Sequence, residues 1–351
     1  MSGEPFSHRG PLRPRRRGAR HALLVAAAGG LALAGCANPT TVAPALRGVP
    51  APSIAVALTN VGCTTSNVCV ALGAGATGVT PTSEGEYLTA RGAWRPLVLP
   101  PSAAITLSAI GCSARSCLIG GAQSGRDLLW KFNEVSDTVT PTAAPSGATG
   151  VSALSCAGTC ALLDTTASGD VRLSVSNDGG ASWAVPTTVP WARGDAVTAL
   201  ACSSQLVCVV GATTVKHQLA LEVTFDGGQS WRARAVPSSW SALHSLTCGA
   251  QHCVAVATTV DGSMFVRTNS LFRVYDASVL SEPTTAVACT AAQRCLAVGA
   301  HGSGPWLATI TGGGSVAARL RYVPSPLVDV ACGASQCAAI AVTTLLADTP
   351  T

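Results

Sequence analysis

The hydrophobic pattern of this chain is one short unit written out repeatedly. It reads most clearly at Leu200-Ala201-Cys202-Ser203-Ser204-Gln205-Leu206-Val207-Cys208-Val209-Val210-Gly211: an apolar run, a cysteine, a small polar turn, a second cysteine and another apolar run. The unit occurs seven times, with cysteines at Cys63 and Cys69, Cys112 and Cys117, Cys156 and Cys160, Cys202 and Cys208, Cys248 and Cys253, Cys289 and Cys295, and Cys332 and Cys337. Successive first cysteines are 49, 44, 46, 46, 41 and 43 residues apart.

A period in the forties built from short β-like runs is the signature of a β-propeller, where each repeat forms one four-stranded blade. Within one repeat, strands are expected at Val197 to Cys202, Cys208 to Ala212, Leu219 to Thr224 and Arg232 to Val236. Alternation in Leu219-Ala220-Leu221-Glu222-Val223-Thr224 is only partial, as suits a strand packed on both faces between blades. The expected fold is therefore all-β: a seven-bladed propeller of four-stranded antiparallel blades, with one disulfide hairpin per blade. A Val-Pro or Leu-Pro segment precedes most units, at Val98-Leu99-Pro100, Thr188-Val189-Pro190, Ala235-Val236-Pro237 and Tyr322-Val323-Pro324, and should form the outermost strand of the preceding blade. The last unit, Val328 to Val342, is followed by only nine residues, so the segment from Ala45 to Val49 is expected to close the last blade as its outer strand.

Composition agrees with this reading. Of 351 residues 48% are hydrophobic, enough for a large core, and Lys, Glu and Met are scarce beside Val, Thr, Ala and Gly. The N-terminus departs from the repeat. Arg9, Arg13, Arg15, Arg16, Arg17 and Arg20 precede an apolar run from Ala22 to Ala34, too short to span a bilayer and suited to an export signal. The run ends in Leu33-Ala34-Gly35-Cys36, which resembles the lipobox of bacterial lipoproteins. That resemblance implies cleavage before Cys36 and a diacylglycerol on its sulfur. It divides the chain into a signal peptide at 1–35, a lipidated cysteine and Pro-punctuated tether at 36–45, and a single domain at 46–351. An ordinary secretory signal is the alternative. Arg16-Arg17 also suggests twin-arginine export, but folding before export would leave the cysteines in a reducing compartment, which favours the general secretory route.

Cysteine arithmetic supports the same division: of fifteen cysteines, setting Cys36 aside leaves fourteen, or seven pairs. Disulfides are the expected state, with free buried thiols and a metal site as alternatives. Zinc would need four ligands at matched spacing, whereas here the gaps vary between three and five residues and no His pair accompanies them. No metal or other cofactor is expected. The formal charge of +5 belongs to the leader; without its six arginines and one glutamate the chain carries 16 basic and 16 acidic residues. A neutral domain offers no electrostatic footprint for nucleic acid.

A second motif lies between the third and fourth strands of two repeats. Ser176-Asn177-Asp178-Gly179-Gly180-Ala181-Ser182-Trp183 and Thr224-Phe225-Asp226-Gly227-Gly228-Gln229-Ser230-Trp231 share Ser/Thr-x-Asp-x-Gly-x-Ser/Thr-Trp. They resemble the Asp box, or BNR repeat, of sialidase-like propellers, a set that also includes photosystem assembly factors. Decayed copies stand at Thr89 to Trp94 and Thr309 to Val316. The resemblance covers residues 45 to 351 and implies a structural role: the Asp (Asp178, Asp226) accepts backbone N–H groups, the Gly (Gly180, Gly228) takes a positive φ, and the Trp (Trp183, Trp231) packs between strands, with Ser176 and Thr224 opening each turn.

The same resemblance raises a sialidase-like glycoside hydrolase. Such enzymes use an arginine cluster, a Tyr nucleophile assisted by Glu, and an Asp acid/base, but this chain has only Tyr87, Tyr275 and Tyr322, and no Arg-Ile-Pro motif. His217, His244, His252 and His301 are isolated, and no nucleophile elbow or phosphate loop is present. No catalytic residue is assigned. If the cysteine turns and Asp boxes crowd one face, the opposite face is left to vary, and there Trp191, Arg193, Trp240 and His244 are the candidate binding residues, the indoles stacking on sugar or anchoring a protein. The expected function is a membrane-anchored, extracytoplasmic binding or assembly module for an envelope protein or glycan.

Overall fold

The computed structural model describes residues 46–348, apart from 50–56, 78–79, 90–92, 98, 100–104, 124–125, 192–194, 205, 250–251, 260, 270–272, 281, 291–293, 303, 312–313, 320–324 and 342–343. The expected signal, Cys36 and the expected tether lie outside these residues, as do Arg193 and Tyr322.

The described strands form seven four-stranded antiparallel sheets. The first strand of each ends on the first cysteine of a repeat: Ala57–Cys63, Thr106–Cys112, Val151–Cys156, Ala196–Cys202, Trp240–Cys248, Thr284–Cys289 and Leu327–Cys332. These first strands neighbour one another in chain order, and Leu327–Cys332 returns to lie beside Ala57–Cys63, so the ring is closed. We number the blades one to seven by these inner strands. In blade seven the sheet runs Leu327–Cys332, Cys337–Ala341, Thr344–Asp348 and finally Leu46–Val49, with Leu46 opposite Asp348 and Val49 opposite Leu345. Pairing the first described strand with the last leaves that edge covered.

The core is divided into wedges between adjacent blades, because each blade buries both faces. Tyr87, Trp130 and Phe132 fill the wedge between blades one and two, Leu163 and Val210 that between three and four, and Phe265 and Trp306 that between five and six. Burial on both faces explains the partial alternation of the sequence: in Leu162, Leu163, Val209 and Val210, neighbours on one strand point into different wedges and all are fully buried.

Each cysteine pair closes the hairpin between the first and second strands, as seven disulfides, with the two cysteines directly opposite in register, for example Cys202 and Cys208.

The outermost strands differ from expectation. They are Trp94–Leu97, Thr187–Thr188 and Arg232–Arg234 in blades one, three and four, so the Val-Pro and Leu-Pro segments follow the strand rather than form it. The physical reason is burial: Val189, 1% exposed, turns into the wedge between blades three and four, and Leu99 and Val236 pack into the next wedge along in the same way. The apolar residue anchors the linker to the following blade, and the proline ends hydrogen bonding.

Candidate functional site

Small and apolar residues at the cysteine ends of all seven inner strands surround a cavity of about 380 Å³ on the ring axis. Its mouth lies in the disulfide-bearing turns, at residues such as Thr65 and Ala157, and its wall descends to Ser245 and Asp329. The first cysteines are partly exposed here, except for buried Cys202, whereas their partners are buried.

Among the described lining residues, Asp329 alone is ionisable outside the disulfides. It sits three residues before Cys332; the equivalent positions in the other repeats hold Asn60, Ala109, Ala153, Ala199, Ser245 and Ala286. The Val61 N–H of blade one donates to Asp329 Oδ2 at 2.9 Å, and the Val330 N–H donates to Oδ1 at 2.8 Å. Burial pushes the carboxyl up to about 7, with these two N–H bonds pulling the other way. Sequence reasoning missed Asp329, because one Asp inside Leu-Val-Asp-Val-Ala reads as an interruption of an apolar strand. Aligning the repeats on their cysteines exposes it.

The ring carries further stitches of the same kind. Ser108 donates to the Val151 carbonyl at 2.7 Å, Thr285 to the Leu327 carbonyl at 3.0 Å, and Ser155 Oγ accepts the Cys202 N–H at 3.0 Å. Each joins an inner strand to the next one round the ring. Ser108 and Thr285 stand at a register shift that recurs in every inner strand, where an extra residue turns a side chain toward the neighbouring blade.

Of the described residues expected to form a binding face, the two tryptophans are drawn toward the core. Trp240 is 7% exposed and belongs to the core between blades four and five. Trp191 is half-buried against the wedge between blades three and four, its indole N–H enclosed. An indole at the start of a blade is drawn into the adjoining wedge because burying so large an apolar surface outweighs presenting it to water. His244 is exposed, its Nε2 2.5 Å from Thr258 Oγ1, and desolvation lowers its pKa. Arg193 lies outside the described residues.

The two aspartate turns are built as their residue types require. Asp178 Oδ1 accepts from Ser176 Oγ at 2.8 Å and from the N–H groups of Ala181 and Ser182 at 2.9 Å, and Oδ2 accepts from Ser182 Oγ. Ser176 Oγ accepts the Gly180 N–H at 2.7 Å. Asp226, Thr224, Gly228 and Ser230 repeat the arrangement. Gly180 and Gly228 have φ of +89° and +96°. Trp183 donates its indole N–H to the Ala143 carbonyl in the linker from blade two at 2.9 Å, and Trp231 packs against the wedge between blades three and four. These turns bind their own chain and the neighbouring blade.

Away from the axis, Asp164 is fully buried on the second strand of blade three and accepts Arg172 Nε at 2.8 Å. Asp127 of blade two is close enough for the charge of Asp164 to act on it; desolvation, reinforced by that charge, pushes it up to about 6. Glu86, 1% exposed and without a hydrogen-bond partner on either oxygen, is pushed by burial up to about 7. Tyr87, one of the chain's three tyrosines, is buried with its ring 5.2 Å from Phe132. Among the described residues no arginine, tyrosine and glutamate converge on the cavity.

The fold defines the class: a β-propeller of four-stranded antiparallel blades. Solved propellers resemble it over nearly their whole length. YCF48 from Cyanidioschyzon merolae superimposes with a TM-score of 0.58 at 14% identity, covering 87% of this chain and 98% of that one. YCF48 bound to D1 peptide gives 0.59 at 14%, covering 87% and 96%. A catalytically inactive virginiamycin B lyase from Staphylococcus aureus with Quinupristin gives 0.60 at 9%, covering 86% and 97%. At these identities the likeness is one of fold. No family model and no curated protein matches the sequence.

Proposed function

We propose that the chain is a non-enzymatic binding propeller that takes a segment of an envelope protein into its axial cavity, held at the outer side of a cytoplasmic membrane by lipid on Cys36. The observation that carries this reading is the cavity itself: every blade contributes to it, and its described lining residues offer shape, backbone groups and one carboxyl rather than a convergent catalytic set. The burial of Trp240 and the half-burial of Trp191 against a wedge reduce the indole surface that a sugar ring would need, which favours protein over glycan. A propeller of the same fold has been solved with a peptide bound, which supports a peptide as ligand here.

The test uses the full mature chain in detergent, applied to tiled peptides of envelope proteins and to a glycan array. Ala157, exposed at the cavity mouth, gives the control Ala157→Trp, which plugs the mouth without touching a core wedge. Peptide binding lost in that variant supports the proposal. Glycan binding indifferent to the plug overturns it.

A further inference from the structure

The charge inside the axial cavity is unbalanced. Asp329 is the one ionisable group among the described lining residues, and no lysine, arginine or histidine is among them. Its two hydrogen bonds come from backbone N–H groups of Val61 and Val330, one to each oxygen, whereas a carboxylate can accept about four. A buried carboxylate without a counter-charge is costly, and a cation supplied from outside removes that cost.

The shape narrows the choice of cation. Asp329 lies three residues below Cys332, a descent of roughly 10 Å at about 3.3 Å per residue. Between the mouth and the carboxyl, the wall is formed by the inner-strand edges around Ile110, Leu154, Leu246 and Val287 together with the disulfides, while the Leu154 and Val287 side chains are buried in the wedges between blades. A shaft this deep, edged by backbone groups and holding one carboxyl among its described lining residues, matches a long side chain with a cationic tip. A bare divalent ion fits poorly, since it requires several oxygens and no group of three His, Cys, Asp or Glu stands together among the described residues.

We infer that the axial cavity is a receptor for one lysine or arginine side chain of the partner segment, with Asp329 as its counter-ion. This rests on the peptide reading above and goes further by naming the residue that enters.

Binding to the full mature chain is measured by calorimetry with N-acetyl-arginine methylamide, N-acetyl-lysine methylamide and the neutral isostere N-acetyl-citrulline methylamide. The expected result is saturable binding of at least one cationic amide, with citrulline weaker by about tenfold or more. In Asp329→Asn that preference disappears. Equal binding of arginine, lysine and citrulline amides, or binding of none, overturns the inference on the unmodified protein, independent of whether the variant folds. A preference that persists in folded Asp329→Asn also overturns it. Peptides that are lost in Ala157→Trp but bind equally well after their lysines and arginines are neutralised would leave the proposed function standing and remove this inference alone.

Discussion

The Val61 N–H donates to the carboxylate of Asp329 at 2.9 Å, so the first and last inner strands are joined by a side-chain bond in the cavity wall. This bond and the outer pairing of Leu46–Val49 with Thr344–Asp348 close the same ring from opposite ends of one blade. The seam is thus held both at the axis and at the rim. Asp329→Ala leaves a part-buried N–H without its acceptor and should destabilise the domain by about 1–3 kcal/mol. Urea unfolding at pH 5, where the carboxyl is neutral in the folded protein, measures that loss with least interference from its charge.

Stability should fall as pH rises from about 4 to about 7. Burial raises Asp329 and Glu86 to about 7 and Asp127 to about 6, above the unfolded carboxylate value near 4. In that window the folded chain holds more protons than the unfolded one, so deprotonation favours unfolding, by on the order of a few kcal/mol in total. Below about pH 4 the sign reverses. Ser230 holds Asp226 at about 2, and Ser182 holds Asp178 lower still. The stability these two contribute is lost as they protonate. Thermal melts across this range should therefore peak at about pH 4, and a peak at or above neutrality would contradict this linkage.

Arg172 neutralises a fully buried charge. Arg172→Leu should cost about 3–5 kcal/mol, because Asp164 is left unpaired in the interior. Replacing both, with Asp164→Leu and Arg172→Leu, should recover most of that loss. A double-mutant cycle by urea unfolding separates the pair from simple packing.

The aspartate turn of blade three is a joint with blade two. Thr142, on the outer strand of blade two, donates to the Gly180 carbonyl at 2.7 Å, and a Cβ on Gly180 would stand 2.6 Å from Leu118 Cδ1. With φ at +89° as well, Gly180→Ala should cost about 2–3 kcal/mol, and Thr142→Val about 1 kcal/mol. Both are read from the unfolding midpoint. An effect of Gly180→Ala no larger than that of a surface alanine would remove the inter-blade role.

Each disulfide closes a hairpin already in register, so removing one should weaken rather than abolish the fold. Replacing Cys156 and Cys160 by alanine is expected to cost about 2 kcal/mol in the chain-entropy model. The thermal midpoint under oxidising conditions measures it.

The parts of this molecule that were legible in sequence are those where chemistry and position coincide. A cysteine pair across a hairpin marks its own partner, and Asp178 with Gly180 and Ser182 specifies a turn by local hydrogen bonding alone. The seam was legible because Leu327–Asp348 supplies three strands and the blade needs a fourth. The binding face was misread for a tertiary reason: whether Trp240 meets water is decided by Leu243 and Ala257 beside it in the wedge, not by its place in a linker. Asp329 was overlooked because its importance comes from six neighbouring strands, which converge only when the ring is closed.

The central claim is that the disulfide face, with its axial mouth, is where a partner enters. A photo-crosslinking amino acid placed at Ala157 on the mouth, and separately at Lys216, exposed in the turn between the second and third strands of blade four, tests it in intact cells. The account predicts that position 157 crosslinks to one segment of an envelope protein and that position 216 does not. Crosslinking to that protein from position 216, with none from 157, would contradict it.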